Sequence, residues 1–445
     1  MTVRTPVVPD SPRGHDREIL ALALPAFGAL LAQPLFVMVD TAVVGRLGTQ
    51  QLAGLGVATA LLMSGVNIFV FLAYATTAAV ARRIGADDVP GAVRQGVDGI
   101  WLALALGGTV LLAGFPAAGR LVDAFGASVP AAPYATSYLR VAVFGIPAML
   151  VVLASTGVLR GLQDTRTPLR VAVGGFGANA VLNVALVHGA GLGVSGSAWG
   201  TVIAQWGMAA AYLLVVVRGA RRHGVSLRPD LAGVGRGARA GVPLLVRTLS
   251  LRAMAVVTTA VAARLGDTDL AAHQIALSFW SLLAFGLDAI AIAGQAIIGR
   301  HLGSGDRNAA REACRRMVRW GVSSGVVLGL LLVAAGPLLL PLFTSDPEVR
   351  RTLFPVLLVI ACCQPLSGVV FVLDGVLMGA GDGPYLAGAM LVTLVVFVSA
   401  ALAVLAHDGG LVALWWAMTL MIGVRLVTLW FRARSGRWIV TGGTR

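Results

Sequence analysis

The sequence predicts an all-α membrane protein, with twelve transmembrane helices in two six-helix lobes related by pseudo-two-fold symmetry about the membrane normal. Three observations carry that expectation. Of 445 residues, 57% are hydrophobic and only 12% charged, with a mean hydropathy of +0.85, whereas soluble domains hold about a quarter charged residues. Apolar runs long enough to cross a bilayer recur from end to end. The first half of the chain also returns in the second at one fixed offset, 218 residues.

The spans follow in chain order. Helix 1 covers 19–44, beginning after Glu18 and carrying Pro25 and Asp40. Helix 2 covers 52–80 with Asn67 and Tyr74, and stops at the basic loop "ARRIGADDVPGAVR" (81–94). Helix 3 covers 94–118. Helix 4 covers 131–159 with Tyr138 and Pro147, and ends at "RGLQDTRTPLR" (160–170). Helix 5 covers 166–188 and helix 6 covers 193–217, joined by the arginine-free "HGAGLG". The basic stretch 218–239 leads into helix 7 (237–263) and helix 8 (270–298), and a second basic loop, 299–319, into helix 9 (311–336). Helices 10, 11 and 12 cover 349–379, 384–406 and 410–431. The corresponding division is a disordered cytoplasmic tail (1–17), an N-lobe (18–217), a cytoplasmic linker (218–236), a C-lobe (237–434) and a cytoplasmic tail (435–445).

Charge supports the count. The net charge of +14 comes from arginine alone, since the chain has no lysine. Arginines crowd alternate loops, while the first loop has Arg46 alone. Both termini are therefore expected in the cytoplasm, with the protein in the inner membrane as a multi-pass chain. Nothing in this distribution asks for a nucleic-acid partner. Cys314, Cys362 and Cys363 supply neither a disulfide framework nor metal-ligand spacing, so no cofactor is expected. The polar leader lacks the apolar core and cleavage site of a signal peptide.

The repeat aligns "PAFGALL…DTAVVGRLGTQQLAGLGVA" from Pro25 with "PLLVRTL…TTAVAARLGDTDLAAHQIA" from Pro243. The same offset pairs Arg82 with Arg300, Asp88 with Asp306, Pro147 with Pro365, Gly157 with Gly375, Gly161 with Gly379 and Asp164 with Asp382. Six helices separate the copies, an even number, so the two lobes are parallel repeats, as in two-lobed transporters.

Ionisable residues deep in a bilayer cost at least about 2.5–3.5 kcal/mol, and their retention points to function. Here the set is Asp40, Arg247, Arg252, Asp288 and Asp374. Asp40 lies about 33 Å of helical rise into helix 1, towards the outer half of the membrane. Its repeat mate is Thr258, and that of Asp374 is Thr156, so each lobe carries one carboxylate where its sister has a threonine. Either each Asp simply bonds a neighbouring helix, or it is a group that loads and sheds a proton near neutral pH, as carboxylates removed from water do.

Asn179 and Asn183 share one face of helix 5, and Thr201 and Gln205 one face of helix 6. Such pairs serve as interhelical glue or as ligands; with Asp40, Tyr138 and the helix-2 residues Asn67 and Tyr74 they would form an oxygen-rich pocket in the N-lobe. In helices 7 and 8, Arg247 or Arg252 can pair with Asp288, or Arg247 can snorkel. His273 and Gln274 are expected at the outer interface. Pro25 and Pro243, like Pro147 and Pro365, each remove a helical hydrogen bond and invite a kink.

These residues resemble the multidrug and toxic compound extrusion (MATE) family. "PAF…LAQPLFVMVDTAVVGRLG" in helix 1 carries the family likeness, and "LRGLQDTRTPL", "NAVLN", "VRTLSLRA" and "FVLDGVLMGAGD" look like its DinF-type branch. The likeness runs from about Glu18 to Arg434. It implies a V-shaped pair of six-helix bundles with a central cleft, exporting organic cations or related amphipaths, drugs and metabolites among them, in exchange for H⁺ or Na⁺. By position, Asp40 is the implied ion-coupling carboxylate, Tyr138, Asn179 and Thr201 its polar partners, and Pro25 the bending hinge. Where some relatives carry a second helix-5 carboxylate, this chain has Asn183, which favours H⁺ over Na⁺. The helix-7 acid of other branches has no counterpart.

The expected protein is thus a monomeric, proton-coupled antiporter working by rocking-bundle alternating access. Asp374, Asp288, Arg247 and Arg252 form a second charge site in the C-lobe. The alternative is a flippase for a lipid-linked sugar or other amphipathic lipid, for which Arg247 and Arg252 are a thin basic lining. An intramembrane enzyme lacks its paired acids or nucleophile–base pair.

Overall fold

The computed structural model describes residues 12–444, which contain long helices and no strand. Among the described residues, eleven helical stretches are long and apolar enough to cross a membrane. The remaining predicted span, 19–44, lies within α1 (Pro12–Gly45). Residues 1–11 of the expected leader lie outside the described residues. Residues 12–17, expected to be disordered, instead form the first turns of α1. Asp16 holds them there by pairing with Arg316 and accepting from the Trp320 indole at 2.7 Å.

Two predicted spans are interrupted. The second is split into α2 (Thr49–Ile68) and α3 (Phe71–Gly85). The fourth consists of α5 (Ala132–Ala142), a tight 3₁₀ turn at Val143–Gly145, and α6 (Ile146–Gly161). Pro147 explains the second break, because it has no N–H for the carbonyl of Val143. Between them runs α4 (Val89–Ala124). The fifth span is α7 (Arg166–Val184), ending in a widened π turn at Ala185–Gly189, and the sixth is α8 (Gly193–Arg222). The second half follows as α9 (Leu231–Leu265), α10 (Asp267–Gly303), α11 (Arg307–Phe343), α12 (Pro347–Gly379), α13 (Gly383–Ala406) and α14 (Gly410–Ser435).

The chain divides into two compact units. One is Leu24–Gly241; the other is Val242–Gly443 with the start of α1, up to Ala23. The first unit thus begins at Leu24 and takes in the linker expected at 218–236. In the second unit, Glu18 pairs with Arg300 at 2.8 Å, beside the Asp16–Arg316 contact. In the first, Arg94 and Trp101 of α4 donate to the carbonyls of Ser226 and Leu227 at 2.8 and 2.9 Å. Those bonds fix the non-helical part of the linker, which is shorter than 218–236 because α8 and α9 extend into it.

The repeat is visible in backbone detail. Asp88 caps α4 and Asp306 caps α11, each accepting from the amide three residues on at 2.8 Å. Gly48 before α2 and Gly266 before α10 have φ of 140° and 134°, a conformation that excludes a side chain. α6 lies against α3, and α12 against α10, at matching glycines. A Cβ at Gly157 would stand 2.5 Å from the Ala73 carbonyl oxygen, and one at Gly375 would stand 2.4 Å from that of Ala291. Gly375→Ala is therefore expected to destabilise the protein by about 1–3 kcal/mol. Thermal unfolding in detergent checks this against Gly388→Ala, where a Cβ meets nothing within 4 Å.

The segment after α14 does not trail away. Gly436 turns it at φ 64°, Trp438 is buried, and the Gly442 amide donates to the Leu302 carbonyl at 2.9 Å.

Candidate ion-coupling site

Three helices of the first unit converge on Asp40, which is 5% exposed. From α7, Asn183 donates its amide to Asp40 Oδ1 at 2.8 Å, and from α8 the Ser197 hydroxyl donates to the same oxygen. Tyr138 of α5 is buried within hydrogen-bonding reach of Asp40, Ser197 and Thr201. Asn179 donates to Thr201 Oγ1 at 3.1 Å, one turn from Asn183. The structure thus brings Asp40, Tyr138, Asn179, Asn183 and Thr201 together. Gly200 makes room for this arrangement, since a Cβ there would lie 2.3 Å from Asn183 Oδ1.

Asp40, Tyr138, Thr201 and Gln205 line a cavity of about 50 Å³, walled on its apolar side by Leu62 and Val66 of α2. A water needs some 10–15 Å³ of such space, so this volume suits a few waters and no organic cation. Asn67 and Tyr74, expected nearby, are not among the lining residues. Among the described residues, every side chain bonded to Asp40 is neutral. Its repeat mate Thr258 bonds its own helix at the Met254 carbonyl, 2.7 Å away.

Asp374 of the second unit, 3% exposed, has the opposite surroundings. Arg247 of α9 grips both its oxygens, with Nε at 3.1 Å from Oδ1 and Nη2 on Oδ2. Arg425 of α14 adds Nη2 at 3.1 Å. Beside the expected candidate Asp288, Asp374 thus draws two arginines, one from α9 and one from α14. Asp288 is half-buried within electrostatic range of Arg425, and Arg252 is exposed on α9. His273, expected at the interface, is fully buried with its ring 5.7 Å from that of Trp415.

Two participants were not read from the sequence. Ser197 sits four residues before Thr201, itself four before Gln205, so extending that face by one turn would have found it. Arg425 stood as a lone base in "MIGVRLVTLW" of helix 12. Pro25 is about 22 Å of rise from Asp40, and Pro34, in the same helix, about 9 Å.

The MatE family pattern matches residues 25–185 and again 243–404, beginning at the two prolines paired by the internal repeat. The chain is 33% identical to Protein DETOXIFICATION 44, chloroplastic, of Arabidopsis thaliana, over 95% of this chain and 83% of the relative. It is 29% identical to DNA damage-inducible protein F of Escherichia coli (strain K12), over 95% and 94%. Among solved structures, a MATE protein in the bent conformation superimposes with a TM-score of 0.86 at 23% identity, over 95% of both chains. A MATE protein in the straight conformation gives 0.84 at 22%, over 95% of this chain and 96% of the other.

Proposed function

The chain belongs to the MatE family, and on that premise we propose that it is a proton-coupled antiporter exporting organic cations or amphipathic drugs and metabolites. The observation that carries the coupling is the neutral shell around Asp40. A carboxylate bonded, among the described residues, to Asn183, Ser197 and Tyr138 can accept a proton without first breaking an ion pair. Asp374, held by two guanidiniums, has no such freedom.

In this reading, the charged Asp40 accepts from its neighbours in the outward-facing state while substrate is bound. A proton entering through the small cavity turns one carboxyl oxygen into a donor. Because Asn183 and Ser197 both donate to Oδ1, a proton settling on that oxygen displaces at least one of them, and the end of α1 shifts against α7 and α8. The prolines of α1 supply the compliance, since each lacks a backbone hydrogen bond. Two shapes of the fold among solved relatives support a two-state cycle. Exchange requires only that proton and substrate favour different states or compete for one site. Both termini face the cytoplasm of the inner membrane, as the arginine-rich loops favour.

A second reading is Na⁺ coupling. Asn179 Oδ1 and Asn183 Oδ1 are buried without a hydrogen-bond partner among the described residues, and carbonyl oxygens beside a carboxylate suit a hard cation. Proteoliposomes loaded with a fluorescent cation separate the two. A pH gradient alone is expected to drive efflux; drive by a Na⁺ gradient alone, with none from pH, would reject proton coupling.

A further inference from the structure

A groove of about 700 Å³ opens in the second unit where the first half of α11 meets the end of α14 and the segment after it. Arg311, Arg315 and Arg319 line it from α11, at the four-residue spacing that puts them on one face. Arg434 lines it from α14, with its guanidinium 5.2 Å over the Trp430 ring. No acidic side chain lines the groove. The next arginines on the same helices, Arg316 and Arg432, are paired with Asp16 and Asp382. The four in the groove make no ion pair among the described residues, although like charges repel and guanidiniums favour bidentate bonding to phosphate.

The face carrying the three arginines continues along α11 as Val322, Val326 and Leu330, all exposed. A cationic pocket that runs into an apolar strip matches a ligand with a multiply charged anionic head and hydrocarbon chains. Trp430 at the mouth is the residue type that settles at the membrane–water boundary.

We infer that this groove binds an anionic phospholipid carrying two phosphates, with its headgroup among Arg311, Arg315, Arg319 and Arg434 and its chains along α11. Placement in the cytoplasmic leaflet rests on the orientation proposed above; the site itself does not. Four guanidiniums exceed the need of one phosphate, and the apolar strip has no use for a free anion.

Native mass spectrometry of the full chain in detergent tests the inference, with cardiolipin, phosphatidylglycerol, phosphatidylcholine and inorganic pyrophosphate as probes. Cardiolipin is expected to stay bound in preference to the other lipids, and pyrophosphate to leave it in place. In Arg311→Gln/Arg315→Gln/Arg319→Gln, cardiolipin affinity is expected to fall about a hundredfold. Arg434→Gln alone, on the other helix, is expected to weaken it about fivefold. Equal retention of phosphatidylcholine, unchanged cardiolipin binding in both variants, or displacement by pyrophosphate would each overturn the lipid site. These readouts need no ion gradient, so failure of proton coupling leaves them untouched. Labelling of Thr444→Cys by an impermeant maleimide from outside intact spheroplasts, in a background without the native cysteines, would overturn the orientation alone.

Discussion

Asp40→Asn is expected to reduce pH-driven efflux from proteoliposomes to the passive leak, while the protein still inserts and purifies as a folded species. The substitution keeps the shape of the side chain and an oxygen to accept from Ser197 and Asn183, but removes the carboxyl that the proposed cycle protonates. Because no buried cation loses a partner, the cost in stability is that of hydrogen bonds to a charged acceptor, about 1.5–3 kcal/mol at most. Thermal unfolding beside the efflux assay distinguishes an uncoupled transporter from a damaged one. Efflux at the wild-type rate in this variant would remove Asp40 from the cycle.

Asp374→Asn is expected to do the reverse of that pattern and strike stability first. It takes from the buried, adjacent Arg247 and Arg425 the carboxylate that both of them hold. Deleting one partner of a buried pair costs about 3–5 kcal/mol, whereas exchanging all partners for apolar residues of similar volume is often neutral or stabilising. The triple change Arg247→Met/Asp374→Leu/Arg425→Met should therefore recover most of the loss. Unfolding temperature and yield after membrane extraction give the comparison. A triple variant that folds and still exports would make Asp374 a fastening of the second unit. A triple variant that folds but cannot transport would return it to the cycle.

These two residues mark how far the sequence could be read. Both carboxylates were conspicuous because each interrupts a long apolar run, and the fixed offset showed that neither has an acidic mate. The helix spans were equally legible, since hydropathy over some twenty residues is a coarse and strong signal. What surrounds each acid was not. Arg247 and Asp374 are separated by 127 residues, and no local pattern selects Asp374 over Asp288 as the partner. Arg425 was hidden for a related reason, as one base among apolar neighbours is equally consistent with an interfacial position.

Finer backbone events were also invisible to hydropathy. The interruption between α2 and α3 involves Phe69 and Val70, residues as apolar as those around them. By contrast, Pro147 announced the other break. The start of α1 was misjudged because a polar, proline-bearing leader reads as disorder on composition alone. Its anchors, Arg316 and Trp320, lie some 300 residues away.

That first helix belongs to one unit up to Ala23 and to the other from Leu24, and Pro25 follows at once. On the proposed cycle, a shift at Asp40 would travel down a shaft already softened at Pro34 to the elbow at the changeover. The lever and its pivot are a single unbroken run of chain, and the ion pairs of Asp16 and Glu18 are the bolts at its far end.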